Sequence, residues 1–143
     1  ADPRHPDMKD LINQKVKHRE NFRPFAPSIL REKVSDWFIE DIDSPYMSFA
    51  IPFHDAKQSQ VPAVVHLDGT GRLQTVTESS NKWYYNFIKL FESTTGVPII
   101  LNTSFNDREP IVETPLDAVK TFLKTNIDFL YFREANILVS KND

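Results

Sequence analysis

The chain contains no cysteine, which excludes disulfide bonds and thiolate metal sites. Only three glycines are present, so neither a glycine-rich phosphate loop nor a dinucleotide-binding fingerprint occurs. No apolar run approaches the roughly 20 residues that cross a membrane. No secretory or transit segment is visible at the start of the sequence. These absences predict a cytoplasmic protein with no membrane partner.

What the chain does contain is typical of one soluble domain over residues 1–143, with 40% hydrophobic and 26% charged residues. The net charge of −3 argues against nucleic acid as a partner. Basic side chains nevertheless crowd the first quarter of the sequence, where the alternative to a binding role is a solvated helix face.

Strands and helices are predicted to interleave along the chain. Apolar, β-branched runs over 61–67 and 98–102 predict buried strands, and the Asp68-Gly69 turn predicts a hairpin to a strand at about 71–77. A helix is predicted over 8–18 and a polar loop over 54–60. A second helix should run from a cap at Ser80 or Asn81 to about Thr95, with Phe87 on its apolar face and Gly96 at its end. Thr114 should cap a third helix that starts at Pro115, with Val119, Phe122 and Leu123 inward, and two closing strands are predicted at 128–132 and 136–139. This order predicts an α/β or α+β class with a mixed sheet.

Three cations lie within seven residues near the predicted exit of the first helix: Lys17, Arg19 and Arg23. Arginine grips phosphate with a planar fork, and lysine adds a mobile point charge. Glu20 is placed to orient one of them. The alternative is a set of surface ion pairs, which contribute little to stability.

The second polar island runs from His66 to Gln74, and it contains Asp68, Thr70 and Arg72. These residues follow the alternation of a strand, although the Gly69 turn interrupts that alternation. The alternative is an ordinary hairpin. A zinc site is not supported, because three nearby ligands are missing.

The third polar island holds Asn102, Ser104 and Asn106, directly after the apolar run that ends at Leu101. Short amide and hydroxyl side chains, together with backbone N–H groups, form anion-binding loops without a phosphate-loop lysine. The alternative is a simple side-chain-capped turn. Because polar groups at strand ends build ligand sites in α/β sheets, the three islands together predict one shared nucleotide or phosphate pocket.

These three islands resemble the C-terminal region of the carbamoyltransferases typified by the nodulation protein NodU and the cephalosporin enzyme CmcH. The resemblance covers nearly the whole chain. It is carried by Asn13-x-x-Val16-Lys17-x-Arg19-Glu20-x-Phe22-Arg23-Pro24-Phe25-Ala26-Pro27, by His66-x-Asp68-Gly69-Thr70-x-Arg72-x-Gln74-Thr75-Val76, and by Asn102-Thr103-Ser104-Phe105-Asn106 with Glu109-Pro110-Ile111-Val112. The chain departs from the family where Asp107-Arg108 runs into Glu109 without the glycine that often precedes the Glu-Pro pair.

The resemblance implies a YrdC-like twisted mixed sheet flanked by helices. It also implies a half-reaction in which carbamoyl phosphate and ATP, with Mg²⁺, give carbamoyl-adenylate and pyrophosphate. An N-terminal, actin-like domain of the same protein would then pass the carbamoyl group to an acceptor hydroxyl. We therefore expect the chain to be a fragment of a longer two-domain enzyme, folded but poorly active by itself.

The expected site residues follow from the resemblance, with no catalytic residue and no metal ligand assigned. Lys17, Arg23 and Arg72, with Arg19 as a further candidate, are expected to bind the phosphates. Asn102, Ser104 and Asn106 would hold phosphate or the carbamoyl amide, and His66, Asp68 and Thr70 would shape the pocket. The competing hypotheses are a nucleotide- or RNA-binding module without catalysis and a purely structural interaction domain.

Overall fold

The structure is a computed structural model that describes residues 1–18, 20 and 23–141. Its helices are α1 (Met8–Ile12), which continues as a π-helical turn over Asn13–Lys17, α2 (Val34–Trp37), α3 (Asp55–Gln58), α4 (Lys82–Thr95) and α5 (Pro115–Lys124), with 3₁₀ turns at Arg31–Lys33 and Pro62–Val64. Its strands are β1 (Ala26–Leu30), β2 (Phe49–Pro52), β3 (Thr70–Val76), β4 (Ile99–Asn102), β5 (Phe129–Phe132) and β6 (Ile137–Ser140). The chain divides into two compact units: Ala1–Lys9 with Pro24–Thr103, here called the sheet unit, and Asp10–Arg23 with Ser104–Asp143, here called the loop unit.

The sheet unit is built on four strands in the order β2-β3-β1-β4. Strands β1 and β3 run parallel, whereas β2 pairs with β3 and β4 pairs with β1 in antiparallel fashion. The sheet is therefore mixed, and the predicted α/β class with a mixed sheet is confirmed.

One face of this sheet forms the main core of the unit. Leu73 and Ile29 are fully buried there, and Gly71 lies so close to Phe53 that an added Cβ would stand 2.4 Å from the ring. Phe53 in turn packs on Phe38, with the ring centroids 4.1 Å apart. Glycine at position 71 is thus required by close packing.

Helix α4 covers one end of the opposite face. Its buried Ile88 packs with Leu30, Val76 and Ile100 of the sheet. The Asn81 side chain caps the first turn by accepting a hydrogen bond from the Tyr84 N–H, and Gly96 ends the helix with a φ of +76°. The predicted helix and both of its ends are confirmed, but Phe87 is 44% exposed and stacks on Trp83.

The loop unit has a smaller core around α5 and the antiparallel pair β5–β6. Ala118, Phe122 and Leu130 are buried together, and Thr114 caps α5 by accepting from the Asp117 N–H. The cap and the two closing strands are confirmed. The predicted inward positions of Val119 and Leu123 are wrong, since they are 36% and 67% exposed. Each follows a buried residue, Ala118 or Phe122, by one position, which turns its side chain about 100° around the helix and away from the core.

Two further predictions are wrong in the sheet unit. The apolar run at 61–67 is not a strand but a 3₁₀ turn over Pro62–Val64, with Val61 and Val64 buried in the core. Pro62 has no N–H to give to a sheet ladder, so the run is buried without pairing. The polar segment 54–60 contains the short helix α3 instead of being only a loop.

Candidate anion site

The loop unit contains a cavity of about 480 Å³. It is lined by basic, acidic and small polar residues: Lys17, His18, Glu20, Arg23, Ser104, Asn106, Asp107 and Arg108. The first four lie at the end of the helical segment that ends at Lys17 or shortly after it, and the others belong to the loop after β4. The fold thus brings the first and third polar islands of the sequence together.

The Lys17 ammonium is buried at the centre of this arrangement, with 4% of the residue exposed. It donates to the backbone oxygens of Ser104 at 2.5 Å and of Asn106 at 2.8 Å, and to the Asn106 Oδ1 at 2.9 Å. The Ser104 Oγ lies 3.3 Å away. These oxygens surround the charge, so Lys17 holds the loop in place and gives the floor of the cavity a positive potential.

The loop itself is closed by its own hydrogen bonds. The Ser104 hydroxyl donates to Asn106 Oδ1 at 2.6 Å, and the Asn106 amide donates to the Glu109 carbonyl at 2.8 Å. The Val112 N–H donates to the Phe105 carbonyl at 3.0 Å and joins the two ends. The short polar side chains of this island therefore fold the loop.

The rim of the cavity carries the exposed basic side chains. Arg23 Nε lies 3.0 Å from Glu20 Oε2, and His18 Nδ1 lies 3.1 Å from Asp107 Oδ1. His18 has a positive φ of 46° at the end of the π-helical turn. Its backbone is in the left-handed region that few non-glycine residues adopt.

A second polar surface lies in the sheet unit, on the end of the sheet face that also carries the α4 cluster. Thr70, Arg72 and Gln74 point to this face because they alternate along β3 with the buried Gly71, Leu73 and Thr75. Arg72 is exposed, and its Nε donates to the Met47 carbonyl at 2.9 Å. The sequence-predicted alternation of Thr70 and Arg72 is confirmed.

Asn102 and Gln74 extend the same polar surface across the sheet. The Asn102 amide donates to Gln74 Oε1 at 2.8 Å, and the same oxygen accepts from the hydroxyl of the fully buried Ser28. Burial raises the pKa of Tyr84, whose phenol hydrogen-bonds with Ser28. These polar groups are therefore fixed by one another.

His66, Asp68 and Thr70 form a compact turn before β3. The Thr70 hydroxyl donates to Asp68 Oδ1 at 2.7 Å, so its oxygen accepts from the His66 Nδ1–H at 2.9 Å. The other ring nitrogen, Nε2, is buried and has no hydrogen-bond partner in the described part of the chain. Burial lowers the pKa of His66, with Lys9 and Arg72 adding to this effect and Asp68 opposing it.

The predicted site residues thus fall into two groups. Lys17, Arg23, Ser104 and Asn106 line one cavity in the loop unit. The second group, His66, Asp68, Thr70, Arg72 and Asn102, belongs to the sheet unit. Arg19 lies outside the described residues, and the shared pocket stays a prediction.

Sequence reasoning missed three residues that line the cavity: His18, Asp107 and Arg108. Each is the immediate neighbour of a predicted site residue or follows one closely. The signal that could have found them is charge: an imidazole beside Lys17 and an Asp-Arg pair after Asn106.

Two other kinds of feature, a metal-binding cluster and a membrane-spanning helix, are absent from residues 1–18, 20 and 23–141. No cluster of three or more histidine or carboxylate side chains is arranged to bind a metal ion. No helix among these residues is long and apolar enough to cross a membrane.

The sequence of the chain defines its class. Residues 1–141 match the family described as "Carbamoyltransferase C-terminus", and the chain belongs to this family. The region that carries the match includes both the cavity and the polar sheet surface.

Three nodulation proteins are similar to the chain. It is 50% identical over 135 residues to "Nodulation protein NolNO" of Sinorhizobium fredii, covering 91% of this chain and 20% of that protein. It is 47% identical to "Nodulation protein NolO" of Bradyrhizobium diazoefficiens, over 91% of this chain and 24% of that protein. "Nodulation protein U" of Rhizobium tropici is 43% identical over 71% of this chain and 17% of that protein. The chain therefore spans about a quarter or less of the length of these relatives.

Proposed function

We propose that the chain is the part of an ATP-dependent O-carbamoyltransferase that forms carbamoyl-adenylate. Membership of the carbamoyltransferase family supports the proposal that the transferred group is carbamoyl. The observation that carries the proposal is the cavity, in which Lys17 meets Ser104 and Asn106 from 87 and 89 positions away along the chain.

The chemistry requires two anions to react at one place. In a balanced form, carbamoyl phosphate, ATP and water yield carbamoyl-adenylate, pyrophosphate and inorganic phosphate. Water would first cleave the bond between the phosphorus and the carbamoyl oxygen of carbamoyl phosphate, which releases inorganic phosphate and leaves carbamate. A carbamate oxygen would then form a new bond to the α-phosphorus of ATP, while the bond from the α-phosphorus to pyrophosphate breaks. Fixed positive charge that is in place before the reaction stabilises the charge that develops on these oxygens.

The residues of the chain would divide this work between binding and orientation. Arg23 and Arg72 would bind phosphate oxygens, because both guanidinium groups are exposed and can donate in pairs. Lys17 would act mainly through the loop that it holds. The Ser104 hydroxyl and the Asn106 side chain would supply neutral hydrogen bonds to phosphate or to the carbamoyl amide.

Magnesium fits this cavity only as a companion of the phosphates. The two carboxylates that line it, Glu20 and Asp107, are each paired with a basic side chain. A hard cation that keeps several waters would therefore be held by ATP oxygens and water more than by the protein.

Transfer of the carbamoyl group to an acceptor hydroxyl would belong to an N-terminal, actin-like domain of the same protein. The much greater length of the similar nodulation proteins leaves room for such a domain. This division of labour predicts that the 143-residue chain binds the substrates but carbamoylates no acceptor. Acceptor carbamoylation by the chain alone would overturn it.

The test is calorimetric titration of the chain with ATP and with carbamoyl phosphate, combined with an assay for pyrophosphate. Arg72→Ala should weaken binding by about 1.5–3 kcal/mol, the range for hydrogen bonds to charged groups. The control is Arg31→Ala, because Arg31 is already paired with Asp41 at 2.5 Å. Equal losses in both variants would indicate diffuse attraction only.

The assay for pyrophosphate also separates this proposal from the binding-module hypothesis. The longer protein that contains this domain should release pyrophosphate when both substrates are present. Binding of ATP without any release in that protein would identify a nucleotide-binding module instead.

A further inference from the structure

The basic side chains that line the cavity differ in whether they already have an ion-pair or hydrogen-bond partner within the protein. Lys17 is surrounded by loop oxygens, Arg23 is paired with Glu20, and His18 is paired with Asp107. Arg108 lines the same cavity and is exposed. Within the described part of the chain, its guanidinium has neither a carboxylate partner nor a hydrogen-bond acceptor.

The acidic residue that follows Arg108 is not paired with its guanidinium. Glu109 is the next residue, yet its Oε1 accepts a hydrogen bond from the Thr121 hydroxyl of α5 at 2.9 Å. The backbone N–H of Glu109 and this hydroxyl lower the pKa of the carboxyl, so it stays ionised at α5. The Asp107 carboxylate is likewise engaged, by His18.

The backbone at Arg108 is held by bonds on both sides of it. The Asn106 amide donates to the Glu109 carbonyl at 2.8 Å, which encloses Asp107 and Arg108 in a short turn. Because Lys17 fixes Asn106 in turn, the turn has little freedom to carry Arg108 away from the cavity. A side chain whose five donors are unused within the described residues is thus placed on a fixed support beside the cavity.

We propose that Arg108 binds a phosphate group of the substrate in this cavity, in addition to the arginines predicted from the sequence. The ligand chemistry is a phosphate mono- or diester or anhydride, because its paired oxygens match the planar fork of arginine. Two sources could supply that group: the polyphosphate of ATP or the phosphate of carbamoyl phosphate. The identity of these two sources rests on the proposed function. The binding of a phosphate group by the Arg108 guanidinium does not.

The experiment compares Arg108→Ala with wild type in titrations of the chain with ATP, carbamoyl phosphate and pyrophosphate. We expect about a 10- to 100-fold loss of affinity for the ligand that Arg108 contacts, in the range of a charged hydrogen bond. Loss with ATP and pyrophosphate would assign Arg108 to the polyphosphate. Loss with carbamoyl phosphate alone would assign it to the other substrate.

Two further variants make the result specific. Arg133→Ala removes another exposed arginine, which is paired with Glu134 and does not line the cavity, so binding should be unchanged. Arg108→Lys keeps the charge but loses the fork, and should give an intermediate affinity. Thermal unfolding of the Arg108 variants should match wild type, because the Arg108 side chain has no ion pair or hydrogen bond within the described residues.

The outcomes for the two proposals are separable. Wild-type affinity for all three ligands in Arg108→Ala would overturn the role of Arg108 and leave the proposed function standing. Binding of pyrophosphate that depends on Arg108, without any carbamoyl phosphate binding or turnover in the longer protein, would support Arg108 and overturn the proposed function. A wild-type chain that binds none of the three ligands would overturn both.

Discussion

Lys17 and Asn106, separated by 89 positions in the sequence, are joined by two hydrogen bonds of 2.8 and 2.9 Å. One accepting oxygen belongs to the Asn106 backbone and the other to its side chain. The same side-chain oxygen accepts from the Ser104 hydroxyl. A buried ammonium therefore orients Ser104 and Asn106, two residues of the third sequence island, and its loss would affect the loop before it affected any ligand.

Replacing Lys17 by methionine should lower the free energy of unfolding by about 1.5–3 kcal/mol, because several loop oxygens would lose a charged donor. The matched control is Lys15→Met, which changes an exposed lysine on the same helical segment and should alter stability by less than about 0.5 kcal/mol. Urea denaturation of the two variants measures the difference. Equal effects would show that the ammonium does not hold the loop.

Much of the fold could be predicted because local signals agreed with the tertiary structure. Asn81 and Thr114 cap their helices as expected, and Gly96 ends α4. In each case a short polar side chain accepts from an unpaired N–H group at the start of the helix, or a glycine adopts the left-handed conformation that ends it. Both requirements are set by residues close in the sequence.

The failures have a common physical origin: an apolar run shows burial but not backbone geometry. Val61 and Val64 are as buried as strand residues, yet Pro62 has no N–H group to donate to a neighbouring strand, so the run does not pair in the sheet. In α5, apolar residues occur on both sides of the helix, and their pattern alone could not show which side packs inward.

The residue types of the candidate site could be predicted from the sequence, but the partners of its charged side chains could not. The cations near residue 17 and the amides near residue 104 were visible in the sequence. Lys17 is enclosed by the loop, while the Arg108 side chain has no partner among the residues that the structure describes, and this difference depends on contacts between residues about 90 positions apart. No local pattern contains that information.

Gly71→Ala should destabilise the sheet unit, because the added Cβ would stand 2.4 Å from one Phe53 ring carbon and 3.2 Å from a Pro27 side-chain carbon. We expect a loss of about 1–3 kcal/mol, the usual cost of overpacking a core. Gly71→Ala should cost less stability in a chain that already carries Phe53→Leu than in wild type, since the smaller side chain relieves the contact. Strictly additive losses in this double-mutant cycle would contradict the proposed clash.

The pH dependence of stability should carry a contribution from His66. Its folded-state pKa is lowered from the ordinary value of 6.5, first by burial, because a proton on Nε2 would have no acceptor in the described part of the chain. Below pH 6.5 the unfolded chain therefore takes up a proton that the folded chain does not. The stability that neutral His66 provides is fully present above pH 6.5 and declines as the pH falls from there toward the lower folded pKa.

The variant that tests this is His66→Asn, since the asparagine amide can replace the Nδ1–H that donates to Thr70 while removing the titrating group. Denaturant unfolding between pH 7.5 and about pH 5 should show a shallower loss of stability in the variant than in wild type, because the other three histidines are common to both chains. An NMR titration of wild type should place the His66 midpoint below 6.5. Parallel stability curves, or a midpoint at or above that value, would mean that water or a ligand satisfies Nε2 and that its burial carries no cost.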